Sequence, residues 1–394
     1  MTVLALAATT SMAVAQETTS SVRGSVTAEG TPVSGATVTV THLPSGTVST
    51  MVTGESGAFS LSGLRPGGPY RVSVKADGYP EASYDDISLT VGQPYNLPVT
   101  VSQAAALDEL AVVAVRPTQA LTTSFNRDKI DGVASINRDI RDIARQDPFA
   151  SFNPSTRGVS IAGTRNTTNK FSVDGVRFSD NFGLQGGGLP TNRGPVPLDA
   201  VEQLSVKVAP YDVTEGDFQG GSIAVVLRSG DNKLSGSAFY TYTDDSLQGD
   251  NSRGTVVNQT LTSKNWGAFL SGPIIKDKLF FAGSYEKLDQ VTPALFGLAG
   301  APSVVPGLTQ ASLDAISATA SSVYGYDTLG LAQTLPETDE KYTIKIDYNL
   351  TDKHRLSYTY IHNSGETEAL GGGSTSPTSP GIGFQSYATR EPQI

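Results

Sequence analysis

The chain has 394 residues, 38% of them hydrophobic, with 41 glycines, 22 prolines and no cysteine. The length suits two or three domains, and the turn-rich composition predicts a mainly β protein. A net charge of −10 argues against a nucleic-acid partner, because nothing would neutralise phosphates. The absence of cysteine excludes disulfides, thiol catalysis and cysteine-ligated metals.

The first residues predict a cleaved export signal over residues 1–15. An apolar run at residues 3–8 is followed by the small residues Ala13 and Ala15 just before Gln16, which matches signal-peptidase cleavage. No positive charge precedes the apolar run, so we expect a misplaced or truncated start. No run of about 18 apolar residues follows. A membrane role would therefore have to use strands.

Residues 16–105 are predicted to form a β-sandwich. Six strand candidates lie at short, regular spacing and are separated by glycine-rich and proline-rich turns. The candidates are residues 21–28, 35–43, 47–53, 57–64, 70–79 and 95–102. Alternating apolar side chains are expected to fill the core, namely Phe59, Leu61, Tyr70, Val72 and Val74.

This module resembles the carboxypeptidase regulatory-like domain, a transthyretin-like sandwich. The match is carried by Gly24, residues 32–36, residues 57–59, Leu64, Pro66, Gly78 and Tyr79. The resemblance implies a structural or binding module without peptidase activity. Related sandwiches bind carbohydrate, so a glycan-binding role is an open alternative.

Residues 106–118 form a linker with two interpretations. The run LDELAVVAVRP at residues 107–117 is either a last sandwich strand or an extended segment that pairs with another protein by strand addition. Its position resembles the TonB box of TonB-dependent transporters. The candidate residues are Leu107, Asp108, Glu109, Leu110, Val112, Val113 and Val115.

Residues 119–230 contain one predicted helix and several short strands. Ile136, Ile140 and Ile143 have helical spacing, and Pro148 would end that helix. Apolar runs at residues 171–173, 201–208 and 223–227 are separated by Asp-Gly and Gly-Gly pairs, which favour tight turns.

Five motifs follow one another in this part of the chain, at residues 157–165, 172–176, 198–206, 209–213 and 218–223. Together, in this order, they resemble the α+β plug domain of TonB-dependent receptors, and more narrowly the Oar-like group. The motif residues that the resemblance implies are structural: Arg157, Gly158, Gly163, Arg165, Asp174, Gly175, Asp199, Glu202, Gly220 and Gly221.

The polar residues of the chain form no recognisable catalytic or metal-binding set. His42, His354 and His362 have no partner at ligand spacing, so no metal, cofactor or enzymatic activity is expected. Asp174 precedes Gly175, where its carboxylate can accept backbone N–H bonds. Asp199 is expected to cap a strand or short helix.

Residues 231–394 are predicted to hold about five membrane-spanning β-strands. The candidates are residues 233–245, 264–272, 278–287, 341–350 and 354–363, each about the length that crosses a bilayer. In the fourth, Tyr342, Ile344, Ile346 and Tyr348 alternate with Lys341, Thr343, Lys345 and Asp347. A membrane β-barrel requires this division, because one face of each strand contacts lipid and the other faces a water-filled lumen.

The connections between these candidates alternate short and long, as periplasmic turns and extracellular loops do. A plugged transporter barrel has 22 strands, so the expectation is a fragment with the front of an incomplete barrel.

The resemblance implies energy-coupled uptake or export of an unknown extracellular ligand by an Oar-like TonB-dependent receptor. It would lie in the outer membrane of a Gram-negative bacterium, in contact with outer-membrane lipid, with the sandwich and TonB box in the periplasm. The implied partner is TonB with its inner-membrane energising complex. The glycine-rich loop at residues 183–194 is expected to be a low-stability part of the plug. The alternative is an outer-membrane-anchored adhesion or carbohydrate-binding protein.

Overall fold

The structure is a computed structural model. It describes residues 18–102, 121–135, 137–153, 156–180, 187–208, 216, 218–247, 249, 251–252, 255–256, 261–294, 296–298, 303–305, 307–328, 330–331, 334–351, 354–370, 375–376, 379–380 and 386–390.

Residues 18–102 form a β-sandwich, called the sandwich below. Its strands are β1 (Ser20–Ala28), β2 (Thr31–Pro32), β3 (Thr37–His42), β4 (Thr47–Val52), β5 (Ala58–Leu64), β6 (Gly67–Lys75), β7 (Ala82–Leu89) and β8 (Pro94–Val101). One sheet has the order β2–β1–β5, with β8 paired in parallel to β1. The other has the order β4–β3–β6–β7.

The core of the sandwich lies between the two sheets. Phe59, Tyr70, Val72 and Val74 are buried in it as predicted, whereas Leu61 is only partly buried. The sequence analysis missed β7. This strand carries two consecutive aspartates, and the first of them, Asp85, pairs with Arg71 at the surface. Its inward residues Tyr84, Ile87 and Leu89 are nevertheless buried.

Residues 121–230 form a second unit, called the central domain. Its elements are β9 (Leu121–Asn126), α1 (Arg127–Asp131), α2 (Ile140–Ala144), β10 (Ala150–Asn153), β11 (Gly158–Ile161), β12 (Lys170–Val173), β13 (Val176–Arg177), β14 (Val201–Val208) and β15 (Gly221–Leu227). Two 3₁₀ turns cover Asn166–Thr168 and Leu198–Ala200. The main sheet has the order β13–β12–β15–β14–β9, and its core includes both α-helices.

The predicted helix over residues 136–150 is much shorter in the structure. Only Ile140–Ala144 is α-helical, and Asp139 caps it by accepting the backbone N–H of Arg141. The chain then turns over residues 145–149 and enters β10, which pairs with β11. Within the described ranges, no helix is long and apolar enough to cross a membrane.

The rest of the described chain is dominated by one antiparallel sheet, called the wall, with the order β16–β19–β20–β23–β24–β27. Its strands are β16 (Ser235–Asp244), β19 (Thr262–Ile275), β20 (Leu279–Pro293), β23 (Thr334–Thr351), β24 (His354–Leu370) and β27 (Ser386–Arg390). Between them lie α3 (Gln310–Tyr324) and the two-residue strands β17 (Asn251–Ser252), β18 (Thr255–Val256), β21 (Phe296–Gly297), β22 (Ser303–Val304), β25 (Thr375–Ser376) and β26 (Ser379–Pro380).

The wall confirms the mainly β fold and adds two elements that the sequence analysis missed. Helix α3 lies in what was predicted as a long loop, and β27 adds a sixth strand. Capping of α3 is complete, since Thr309 and Ser312 form a capping box and Gly325 ends the helix in the left-handed conformation. Serines and alanines dominate α3, so its sequence lacks the strong apolar periodicity on which helix prediction depends.

The wall has its polar face inside and its apolar face outside. On β23, Lys341, Thr343, Lys345 and Asp347 are buried against the central domain, whereas Ile344 is exposed. The exposed side chains on this outer face include Leu270, Ile274, Leu350, Leu356 and Tyr358. A soluble sheet buries its apolar face, so this arrangement requires an apolar solvent outside.

The two ends of the wall differ. Residues 276–278 and 352–353 connect strands at one end, called the short-turn end, and the long connections lie at the other, the long-loop end. Tyr242 and Trp266 are exposed toward the long-loop end, where Trp266 contacts Tyr285 with ring centroids 5.0 Å apart, and Tyr358 is exposed near the short-turn end. Aromatic girdles at membrane interfaces have this placement.

Lysine on the outer face should destabilise the protein in lipid. We expect Ile344→Lys to lower the free energy of unfolding by about 2–4 kcal/mol if Ile344 lies near the bilayer midplane. The matched change Ile344→Leu keeps an apolar side chain and should cost less than about 1.5 kcal/mol. Urea titrations of the intact protein in lipid vesicles measure both. Equal costs would contradict a lipid-facing position.

Candidate functional site

A buried group of four charged side chains joins the central domain to the wall. Arg193 Nη1 lies 3.2 Å from Glu286 Oε1 and 3.7 Å from Asp339 Oδ1. Lys341 Nζ lies 3.3 Å from Asp339 Oδ1 and 3.8 Å from Glu286 Oε1. No side chain of this charge cluster is more than 5% exposed. Two cations facing two carboxylates leave no net charge, which burial would otherwise strongly disfavour.

Residues 191–194, called the strap, connect this cluster to helix α2. The Gly194 carbonyl accepts a 3.1 Å hydrogen bond from Lys341 Nζ, and its N–H donates to Asp139 Oδ2 at 3.1 Å. The Asn192 amide donates to Thr367 Oγ1 of the wall at 2.8 Å. Both faces of the strap are therefore bonded, one to the central domain and one to the wall.

Asp139 and Arg141 form a second buried ion pair behind the strap, with Arg141 Nη2 2.6 Å from Asp139 Oδ2. Burial alone would raise the pKa of Asp139, but the charge and hydrogen bonds of Arg141 bring it well below its ordinary value. The carboxylate is therefore ionised. It can accept from Arg141 and from the strap at the same time.

Arg157 extends the interface toward the long-loop end. It donates from both guanidinium nitrogens to the Glu337 carboxylate of β23, at 2.8 and 3.1 Å. Bidentate pairs of this kind fix orientation as well as distance.

Asp174 binds the wall as well as strand β15. Its Oδ1 accepts the backbone N–H of Leu227 at 2.9 Å, so its carboxylate does accept a backbone N–H, but from a strand 53 residues away and not from its own turn. Its Oδ2 lies 2.9 Å from Lys345 Nζ and also accepts from Thr359. Asp174 and Gly175 both have positive φ, 43° and 81°, as a two-residue hairpin between β12 and β13 requires.

Asp199 does not cap a helix, so that expectation was wrong. It lies inside the 3₁₀ turn Leu198–Ala200, whose N-cap is Pro197 without a side-chain hydrogen bond. Its carboxylate instead lies 2.8 Å from Arg138 Nη2. The Arg138 guanidinium in turn lies 3.7 Å from the ring centroid of Phe239 in the wall. Asp199 therefore has a tertiary partner instead of a capping role.

The other motif residues support the central domain. A side chain at Gly221 would come within 2.7 Å of Ile161 and Lys207, so only glycine lets β15 begin this close to β11 and β14. Gly220 precedes it, Gly158 begins β11 and Gly163 follows β11. The carbonyl of Arg165 accepts from Thr168 Oγ1, and Glu202 lies near Gly67 of the sandwich.

The sequence analysis did not single out Arg193, Glu286 or Asp339 as interface residues. One signal was available, because residues 337, 339, 341, 345 and 347 are all charged and all lie on one face of β23. The TonB-box candidates 107–115 lie outside the described residues. So do residues 183–186, whereas the strap at the other end of the predicted low-stability loop is bonded on both sides. The hydrogen bonds of residues 191–194 were not expected from the sequence, and the low stability of the loop stays a prediction.

Two family models match the chain. The carboxypeptidase regulatory-like domain matches residues 21–102, and the outer membrane beta barrel domain matches residues 226–324. The chain carries both domains. It is therefore an outer-membrane protein of a Gram-negative cell. The predicted resemblance to the carboxypeptidase regulatory-like domain and the predicted location are confirmed.

The chain is also a homologue of a transporter. It is 25% identical over 365 residues to the TonB-dependent transporter Oar of Myxococcus xanthus, covering 84% of this chain and 32% of the relative. The chain thus spans about a third of that protein's length.

Solved structures with a similar arrangement include two outer-membrane proteins. The outer membrane transporter YddB from Escherichia coli has 12% identity and a TM-score of 0.44, covering 63% of this chain and 33% of its own. The siderophore receptor PirA from Acinetobacter baumannii has 14% identity and a TM-score of 0.40, covering 69% and 44%.

Removing one member of the charge cluster should weaken the attachment of the central domain. We expect Arg193→Met to lower the free energy of opening by about 3–5 kcal/mol, because it leaves Glu286 buried without its partner. The double variant Arg193→Met with Glu286→Met keeps the neutral pair of Lys341 and Asp339, so it should recover most of this loss. Hydrogen exchange of the strap measures the opening.

The control for this prediction is a half-exposed ion pair of the same domain. Arg145 pairs with Asp142, and its side chain is 43% exposed, so Arg145→Met should cost less than about 1 kcal/mol. Strap exchange that responds equally to Arg145→Met and Arg193→Met would show that the charge cluster has no special role.

Proposed function

We propose that this protein is an energy-coupled transporter of the outer membrane, in which residues 119–230 are the plug. The observation that supports this is the covering of the polar inner face of the wall. Lys341, Lys345 and Glu337 face the side where a large barrel would hold water. Each instead pairs with a group of the central domain. A folded domain in that position blocks the aqueous path.

Moving such a plug requires work from outside the barrel. The Asp174–Lys345 and Arg157–Glu337 pairs and the charge cluster have to separate or rearrange before a path opens. Each of these contacts joins the central domain to the wall, and they lie at different places along it. Local fluctuation of a single loop therefore cannot separate them all. A mechanical pull on the chain can, and the segment before β9 is where such a pull would enter the central domain. We assign residues 107–115 to binding TonB by strand addition.

The proposed orientation follows from the two ends of the wall. Short turns of outer-membrane barrels face the periplasm and long loops face the exterior. The sandwich contacts the short-turn end, through Asn349 and Arg355. The sandwich and the TonB box would then lie in the periplasm, within reach of TonB. The extracellular ligand would meet the long loops and the side of the plug that carries Arg157.

Proline in the TonB-box candidate tests this proposal. Val112→Pro with Val113→Pro removes two backbone N–H donors, so strand addition to TonB should fail. We expect pull-down of the intact protein by the periplasmic domain of TonB to fall to background. Membrane insertion should be unchanged, since the two residues precede the central domain.

The matched control is Val112→Ala with Val113→Ala, which keeps both donors and should retain most of the capture. Undiminished capture of the proline variant would refute the assignment of the box. Glycan-array binding by the protein, without TonB dependence of any phenotype, would favour the adhesion or carbohydrate-binding function instead.

A further inference from the structure

The edge of the sandwich is bonded to the short-turn end of the wall, and Arg355 of β24 makes most of these contacts. Its Nη2 donates to Ser49 Oγ at 2.6 Å and to the Val48 carbonyl at 3.3 Å. Its Nη1 donates to the Gly63 carbonyl at 3.2 Å. One wall side chain thus bonds two strands of the sandwich, β4 and β5.

Two further bonds attach the same edge. The Asn349 amide donates to Thr47 Oγ1 at 3.1 Å, and the Asn232 backbone N–H donates to the Pro44 carbonyl at 3.0 Å. Asn232 precedes β16, whereas Asn349 and Arg355 flank the turn between β23 and β24. The sandwich therefore bridges points that are four strands apart in the wall.

The sandwich also contacts the central domain. The Val91 N–H donates to Gln203 Oε1 of β14 at 3.2 Å, in a buried hydrogen bond. Arg65 Nη1 donates to the Gly230 carbonyl at 3.2 Å, where the chain passes from the central domain into the wall. The Arg65 guanidinium also lies 5.3 Å from the ring centroid of Phe280.

A chamber of about 1550 Å³ lies between the three units beside these contacts and is partly open to its surroundings. Its lining comes from all three units and includes Val48 and Arg65 of the sandwich, Glu202 and Arg228 of the central domain, and Lys345 and Thr359 of the wall.

The chamber carries both signs of charge, but His42 adds none. Burial and the nearby charges of Arg65 and Arg355 lower the pKa of His42 to about 3, so its ring is neutral at physiological pH. The lining therefore mixes charged side chains with apolar ones such as Leu61 and Leu227.

The docked sandwich meets the other two units mainly through polar contacts. Its hydrophobic core is distinct from that of the central domain, and neither core continues into the other. The contacts described above are mainly single hydrogen bonds, many of them to backbone carbonyls. Interfaces of this polar kind between domains permit relative motion.

We propose that the sandwich is a second gate on the periplasmic side of the plug. Docked as described, it forms the floor of the chamber, and it has to undock before cargo can pass between the chamber and the periplasm. The idea of passing cargo rests on the proposed transport function. The docking of the sandwich and its covering of the chamber do not depend on that function, so they can be tested separately.

Thiol labelling inside the chamber tests the closure. The chain has no cysteine, so Ser229→Cys places a single thiol in the chamber lining. In the intact protein, in membranes open at the periplasmic face, a small methanethiosulfonate should label it readily. A maleimide on a long polyethylene glycol chain should label it slowly, because the docked sandwich excludes the polymer.

Arg355→Ala is the undocking variant. Loss of its three hydrogen bonds should shift the docking equilibrium by roughly 10- to 100-fold, and polymer labelling of Ser229→Cys should accelerate by a similar factor. The matched control is Arg71→Ala, which removes the same charge from a half-exposed pair with Asp85. That variant should leave the labelling rate unchanged.

A covalent lock makes the test independent of folding defects. Thr47→Cys and Asn349→Cys, oxidised by diamide to a disulfide before Ser229→Cys is probed, should suppress polymer labelling even with Arg355→Ala. Their side chains are adjacent in the docked state, since Asn349 bonds Thr47, and the Ser229→Cys thiol has no partner cysteine and stays free for labelling. Fast polymer labelling of the parent, or equal rates with and without the lock, would overturn the proposal. Because no step involves TonB, this result is separable from TonB capture.

Discussion

The polarity of the wall is the constraint on which the rest of the structure depends. A β-strand presents alternate side chains to opposite faces, and β23 places Lys341, Lys345 and Asp347 inside and Ile344 outside. Lipid stabilises the outer face, but the inner charges need partners or water. The central domain supplies partners, so the same alternation that makes the wall a membrane sheet also creates the surface on which a second domain docks.

The partners on that surface are balanced in charge, and their burial makes the balance necessary. Removing one partner of a buried pair leaves an unpaired charge, which costs far more than losing an exposed pair. Arg193 and Lys341 with Glu286 and Asp339 satisfy this condition as a group of four. Such an interface holds a domain in one orientation. Its apolar part is small, since among the described wall residues Ile361 joins the core of the central domain. That combination suits a domain that stays closed until it is pulled.

The sandwich contacts the other two units mainly through single hydrogen bonds, without a buried group of charges. Its own core is complete without the other units, and it touches them through Arg65, Val91 and the groups that Arg355 binds. The segment between the sandwich and β9 is therefore held at both ends, by the sandwich docked on the wall and by the central sheet. A pull on that segment acts on both units, which links the two proposed gates mechanically.

The amino-acid sequence by itself determined the three units, most strands and the two faces of β23, because turn residues and period-two alternation are local properties. It also determined the Asp174–Gly175 hairpin, since positive φ at two adjacent positions restricts the residues that fit. Only the tertiary structure decided which charges meet. Lys345 and Asp174 are 171 residues apart, and Arg157 and Glu337 are 180 apart. No local pattern encodes such pairs, because they depend on how the central domain and its strap lie across the wall. The same reason explains β7, the shortened α2 and the true partner of Asp199, where packing between distant segments overrode local preference.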